Sequence, residues 1–276
     1  MDILKIAAFS DGETGGNPAG VVIEDTLPPA HDMQAIAEKI GFSETAFAAP
    51  QDDGWRVRYF SPESEVPFCG HATIALGAAL SMKYGDGAFA LILNDAEVSV
   101  SAQKDGALFR AALGSPPTQS AALSKEITQQ ALAIFGYEEG ALDPRLPPAR
   151  AHGGANHFIF VLNTRKKLAQ MHYELAVGRR FMLAHNINAT ISFIYAQTNT
   201  LFHARNAFAS GGVLEDPATG AAAAALAGYL RDISWPHGGA IDIVQGEDMG
   251  MRSLLRAEFS DEAGSSVKVS GTARVM

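Results

Sequence analysis

One pattern occurs twice in this chain. Residues 65–80 read EVPFCGHATIALGAAL and residues 215–230 read EDPATGAAAAALAGYL. At a constant offset of 150 they agree at seven of sixteen positions: Glu65/Glu215, Pro67/Pro217, Gly70/Gly220, Ala72/Ala222, Ala75/Ala225, Leu76/Leu226 and Leu80/Leu230. Each copy runs from an acidic residue through a proline and a glycine into an alanine-rich stretch. Proline stops the preceding element, glycine permits close backbone approach, and the small apolar run favours helix. A helix apolar nearly all round has to be buried. The pattern therefore predicts two central helices, each starting at a glycine turn with unpaired N–H groups, and a fold set by duplication.

The chain is long enough, at 276 residues, for two ordinary domains. A net charge of −9 speaks against nucleic acid as a partner, and no basic run marks a membrane surface. The longest apolar stretch, Gly220 to Leu230, is too short to span a bilayer. MDILKIAAFSDG at the start does not resemble a secretory leader. The one cysteine, Cys69, leaves no intramolecular disulfide and fits a reducing, cytoplasmic setting. No paired Cys/His cluster has zinc spacing, so no metal is expected.

In chain order, residues 3–9 and 19–24 read as short strands around the turn-rich DGETGGNP of 11–18. HDMQAIAEKIG at 31–41 has helical spacing and a closing glycine. FSETAFAAP at 42–50 reads as a strand, and WRVRYFSP at 55–62 alternates as one. Strands near 88–93, 96–101 and 107–112 follow the first glycine–helix element. GSPPTQS at 114–120 is the candidate junction. The second half repeats the order: HGGANHFIFVL at 152–162, a helix near 173–185, INATISFIYA at 187–196, FHARNAF as a loop, then the second glycine–helix element. The reading is an α+β fold of two duplicated domains, each a curved, mostly antiparallel sheet around a central helix. The domains are residues 1–116 and 117–264. The last strand, VKVSGTARV, can pair with either half, and 265–276 can complete the first.

A helix N-terminus with unpaired N–H groups suits an anion such as a carboxylate. Two related domains face to face would bring Gly70, His71 and Ala72 together with Gly220, Ala221 and Ala222 around a small carboxylic acid. A structural reading, in which the glycines only cap and pack helices, also stands. Glu44 lies in an otherwise apolar stretch, where an unpaired carboxylate is costly to bury. Desolvation favours the proton-bound form that a proton shuttle must visit. Asp216 precedes a helix start, where the dipole favours negative charge. Two carboxylates in unlike surroundings can divide acid and base roles. Edge-strand exposure for Glu44, and plain capping for Asp216 and His71, are the structural alternatives. Cys69 is either a thiol activated at a helix start or a small buried apolar residue.

GGNPAGVV at 15–22, SETAF at 43–47, EVPFCGHAT at 65–73 and EDPATGAAAAALAGYL at 215–230 together resemble the PhzF family of phenazine-biosynthesis-like isomerases, whose fold is related to that of diaminopimelate epimerase. QGEDMGMRS at 245–253 is similar to the family's QG…GRPS segment, interrupted by Met251. The resemblance covers most of the chain. It implies a cofactor-free cleft between two related halves, and a homodimer. It implies that Glu44 moves the proton while His71 and Asp216 line the site, with Asn17, Gly70, Ala72, Gly220 and Ala221 binding substrate. The best-characterised member isomerises trans-2,3-dihydro-3-hydroxyanthranilate by such a proton shift.

Two departures stand out. Ala221 occupies a position where serine is common, which removes a hydroxyl. Cys69 falls where the related epimerases carry a catalytic cysteine, but its partner after duplication is Thr219, so a two-thiol racemase is disfavoured. The sequence thus implies a cytoplasmic, cofactor-independent isomerase of a small carboxylate-bearing molecule. The alternatives are an amino-acid racemase or epimerase using Cys69, and a non-catalytic binding protein on the same scaffold.

Overall fold

A computed structural model describes residues 1–276. It divides them into two units, Met1–Gly114 with Ser270–Met276, and Ser115–Val269. In the first unit the elements run β1 (Ile3–Ala8), β2 (Asn17–Ile23), α1 (Ala30–Ile40), β3 (Thr45–Gln51), β4 (Gly54–Phe60), the two-residue β5 (Glu65–Val66), α2 (Gly70–Tyr84), β6 (Gly87–Ile92), β7 (Glu97–Asp105) and β8 (Leu108–Gly114). The pairs β1–β2, β3–β4, β6–β7 and β7–β8 are antiparallel, and β2–β3 and β4–β6 are parallel.

Helix α2 is the centre of this unit. Every residue from Gly70 to Ser81 is buried, against β1, β2, β3, β6, β7 and β8. The reason is compositional: alanine, isoleucine and leucine leave no polar face, so the sheet must surround the helix. The fit is close enough that a Cβ on Gly77 would lie 2.6 Å from Val100 of β7. Helix α1 has only one apolar stripe and packs outside the sheet. Its Met33 and Ala37 meet Val22, Phe47 and Phe60, the last two in an edge-to-face pair at 5.7 Å.

The second unit contains β9 (Gln119–Ala122), α3 (Lys125–Ile134), β10 (Ala149–His152), β11 (Asn156–Leu162), α4 (Arg165–Ala169), α5 (Leu175–Ala184), β12 (Ile191–Ala196), β13 (Leu201–Ala207), β14 (Glu215–Asp216), α6 (Gly220–Asp232), β15 (Ala240–Gln245) and β16 (Ser253–Glu258). Its pairing repeats that of the first: β11–β12 and β13–β15 are parallel, β12–β13 and β15–β16 antiparallel. Helix α6 takes the place of α2 and is buried from Ala222 to Arg231. Arg231 keeps its charge inside by donating to the Thr118 hydroxyl (2.7 Å) and the Ser265 hydroxyl (2.9 Å). The last strand, β17 (Lys268–Val275), pairs with β1 through Ile6–Val275, Ala7–Arg274 and Ala8–Ala273, and also with β8. The sheet of the first unit is thereby closed on itself, and all of β17 from Ser270 onward falls in that unit. No helix is long and apolar enough to cross a membrane.

Two expectations are corrected, and one unread segment gains its elements. FHARNAF is not a loop: residues 201–207 form β13, paired on both sides and largely buried. Its alternation is masked by Arg205, whose buried guanidinium is held by Glu215 and by the carbonyls of Ala169 (2.9 Å) and Met171 (3.1 Å). Glu44 is not inside a strand but immediately precedes β3. Residues 119–148, to which the sequence reading gave no elements, carry β9 and α3, the latter capped by the Ser124 hydroxyl on Ile127 N–H (3.2 Å).

One buried histidine makes the second unit acid-sensitive. His157 on β11 is fully buried and shares a 2.8 Å hydrogen bond with the Thr190 hydroxyl. Burial first, and the nearby His152 second, push its imidazole down to about 3. The unfolded chain takes up this proton near ~6.5, so between the two values the unfolded state binds more protons. Stability then falls with falling pH by up to ~1.4 kcal/mol per pH unit. Urea denaturation across this range should show a shallower pH slope for His157→Gln than for the wild type; equal slopes would contradict the assignment.

Candidate active site

The start of α2 gathers three reactive side chains. Cys69 is the N-cap residue, in extended conformation, and makes no side-chain capping hydrogen bond. His71 is the second helical residue, and Glu44 enters from the start of β3. His71 Nε2 lies 3.4 Å from Glu44 Oε2 and is hydrogen-bonded to the Ser43 hydroxyl at 3.3 Å. Its Nδ1 lies 3.3 Å from Cys69 Sγ. The Cys69 and His71 residues are buried, and the Glu44 side chain is 12% exposed. With Nε2 protonated, the imidazole donates toward the carboxylate while Nδ1 accepts from the thiol, giving a continuous thiol–imidazole–carboxylate array.

The backbone under this array is fixed. Gly20 N–H of β2 donates to the Glu44 carbonyl (3.2 Å), so the residue before β3 is already part of the sheet register. The Thr73 hydroxyl and N–H both donate to the Cys69 carbonyl (2.7 and 3.0 Å), and the Thr73 hydroxyl also bonds the buried Tyr59 hydroxyl (2.7 Å). Burial raises the Tyr59 phenol well above its ordinary range. It therefore stays a neutral hydrogen-bonding group. Asn17, the first residue of β2, is buried in the same unit opposite Ala8. Gly70 and Ala72 lie in the first turn of α2, both buried.

The second unit builds a different constellation at the start of α6. Asp216, buried, pairs with Asn206 across β13–β14, and its carboxylate accepts from the Thr219 hydroxyl. Thr219 is the N-cap residue and a good capping type, yet its hydroxyl makes no capping bond. Gln245, at the end of β15, donates to the Asp216 carbonyl (2.6 Å) and accepts from Thr219 N–H (3.1 Å). Gly220 is buried, while Ala221 is half-buried. Just beyond, Gly246 has φ +72°, and a Cβ there would lie 2.4 Å from the Met251 carbonyl and 2.8 Å from that of Pro217. Only glycine fits that turn.

The two constellations rest on the same clamp. Arg58 donates to Glu65 through Nε (2.8 Å) and Nη2 (2.5 Å), and Arg205 grips Glu215 in the same bidentate way through Nε (3.0 Å) and Nη2. The Arg58 guanidinium holds Glu65 below the usual carboxylate range. Each clamp fixes the short strand that leads into the glycine turn. Ser43 and Gln245 were not among the residues singled out from the sequence; SET and QG were the signals that contained them.

A family model described as phenazine biosynthesis-like protein, PhzC-PhzF, matches residues 6–276. The chain belongs to the PhzF family. A trans-2,3-dihydro-3-hydroxyanthranilate isomerase of Pseudomonas fluorescens is 28% identical over 273 residues, 96% of this chain and 94% of that protein. A PhzF-family structure from Bacillus anthracis superposes with TM-score 0.87 at 22% identity, covering 99% of this chain and 96% of that one. A hydroxyproline epimerase structure from Agrobacterium vitis follows at TM-score 0.62 and 12% identity, covering 99% and 88%. The α+β, duplicated epimerase-like fold and the PhzF-type isomerase class are thus those of this chain, with its substrate unassigned.

Gln245 offers a direct test of the second constellation. Gln245→Leu preserves bulk but strands the Asp216 carbonyl and the Thr219 N–H, each unmatched buried group costing ~1–3 kcal/mol. Chemical denaturation should show a loss of at least ~1 kcal/mol; an unchanged midpoint would mean that water replaces the amide without cost.

Proposed function

We propose that this PhzF-family isomerase shifts a proton between two carbons of a small carboxylate-bearing substrate, with Glu44 as the shuttle. The observation that carries the reading is the Glu44 carboxylate 3.4 Å from His71 Nε2 at the uncapped start of α2. Ionised Glu44 takes a proton from a substrate carbon, and the resulting carbanion is delocalised into the substrate. The protonated carboxyl then returns the proton to a different carbon. Atoms and charge balance without an oxidant or reductant, so the reading needs no cofactor. His71 holds the carboxylate in place from 3.4 Å. The first-turn N–H groups at Gly70 to Ala72 and at Gly220 to Ala221 receive the substrate's carboxylate, and Asp216 orients an amino or hydroxyl group. We place the substrate between the two units, with Asn17 among its contacts. Ala221 brings no hydroxyl, which favours a substrate other than the dihydro-hydroxyanthranilate named for the relative. A cytoplasmic homodimer is the setting proposed for this chemistry, to be checked by cell fractionation and sedimentation.

Solvent labelling tests the shuttle. In deuterated water with a panel of small amino and hydroxy acids and dihydro-hydroxyanthranilate, carbon-bound deuterium should appear with the wild type. Glu44→Gln should slow it by at least ~100-fold, as expected for loss of a general base. Undiminished exchange in a folded Glu44→Gln protein would overturn the assignment. Asp216→Asn should reduce turnover about ten- to a hundredfold, the worth of a lost charge-assisted hydrogen bond; wild-type turnover would leave Asp216 a structural cap.

One observation favours a second reading. Cys69 Sγ sits 3.3 Å from His71 Nδ1, an arrangement that can activate a thiol for epimerisation. Thiol alkylation separates the two: inactivation prevented by ligand supports the thiol, and insensitivity to alkylation supports Glu44 alone.

A further inference from the structure

We infer that Glu44, Cys69 and His71 form a binding site for a thiophilic divalent cation, with Zn2+ as the reference ion. One ligand atom from each of the three lies within 4.8 Å of the other two. The set comprises a sulfur, a nitrogen and an oxygen, which are the three donor types that Zn2+ takes. Mg2+ and Ca2+ want oxygen shells instead. This departs from the sequence reading, which expected no metal because no paired Cys/His cluster has zinc spacing.

Spacing supports the same ion. Tetrahedral Zn2+ with bonds of about 2.0–2.3 Å holds its donors roughly 3.3–3.6 Å apart. His71 Nε2 is 3.4 Å from Glu44 Oε2 and 3.9 Å from Cys69 Sγ. The Glu44 and Cys69 ligand atoms lie within 4.8 Å of each other, and closing on an ion requires them to draw nearer. Three protein ligands leave the fourth position open, the pattern of a reactive zinc site rather than a structural one. The ligands are also pre-set. Thr73 pins the Cys69 backbone and is itself held by Tyr59, while the Ser43 hydroxyl, bonded to His71 Nε2, gives way when that nitrogen takes the ion. Outer contacts of this kind orient metal ligands. On binding, the Cys69 thiol gives its proton to solvent as the S–Zn bond forms, with no redox change.

A consequence, which rests on the proposed role of Glu44, is regulatory. A carboxylate bonded to Zn2+ cannot accept a substrate proton, so the cation switches the enzyme off and a chelator switches it on.

Co2+ and Zn2+ titrations of the metal-free protein test the site without any substrate. The wild type should bind one equivalent of Co2+ with a sulfur-to-cobalt charge-transfer band in the near ultraviolet, displaced by Zn2+. Cys69→Ser should abolish that band. Zn2+ affinity by calorimetry should fall at least ~100-fold in both Cys69→Ser and Glu44→Gln, more than an outer-contact change costs. Near-ultraviolet circular dichroism establishes that both variants are folded, and Glu44→Gln lies outside α2, so it reports even if Cys69→Ser disturbs the helix. Equal Zn2+ affinity in wild type and both variants, or no charge-transfer band in the wild type, would overturn the site. Deuterium exchange measured in parallel separates the two claims. Exchange without metal binding removes the cation site and keeps the shuttle. Binding without inhibition keeps the site and removes Glu44 as the shuttle.

Discussion

An alanine-rich helix with no polar face survives in water only when something else encloses it. That requirement is met twice here, by α2 and α6, and most of the remaining structure follows from it. Each sheet carries the same alternation of parallel and antiparallel pairs, because each must curve around a helix rather than lie flat against one. Close approach is secured by small residues such as Gly77, where the β7 strand leaves no room for a side chain. In the first unit the C-terminal strand closes the sheet by pairing with both β1 and β8.

Burying such a helix has a consequence at its N-terminus. The unpaired N–H groups of the first turn need a partner, and neither helix uses its N-cap side chain for that purpose. Thr219 is the telling case: its hydroxyl is committed to Asp216 and Gln245 rather than to the helix. A cap worth ~1 kcal/mol is forgone at each start, which is where the proposed function seats the substrate's carboxylate. The Arg58–Glu65 and Arg205–Glu215 clamps hold the approach to each start rigid, so the duplication preserved the scaffold of the site while its reactive residues diverged. Glu44, His71 and Cys69 have no counterpart array in the second unit, where Asp216, Thr219 and Gln245 stand instead.

Much of this was legible in the sequence, for identifiable reasons. The two central helices were readable because proline, glycine and alanine act locally, and the family motifs carried Glu44, His71 and Asp216. The strand at 201–207 was not readable, because a buried arginine breaks the apolar alternation until its partners are known. Nor was the equivalence of the two clamps. Arg58 and Glu65 are seven residues apart and Arg205 and Glu215 ten, so the constant offset that aligns the glycine turns misaligns the arginines. The assembly of Glu44 with Cys69 and His71 is a tertiary fact; no spacing rule joins a residue before β3 to the cap of α2. Ser43 and Gln245 were within recognised motifs, but their roles depend on distances.

The proposal at the centre of the account is that Glu44 and Asp216 act on one substrate. A double-mutant cycle of Glu44→Gln and Asp216→Asn, read as kcat/KM for the compound that takes up solvent deuterium, tests it most directly. Groups that act as a unit are strongly non-additive. The account predicts that the double variant is scarcely slower than Glu44→Gln alone. Losses that multiply in full would contradict it, and would show that the two carboxylates are not coupled through a shared substrate.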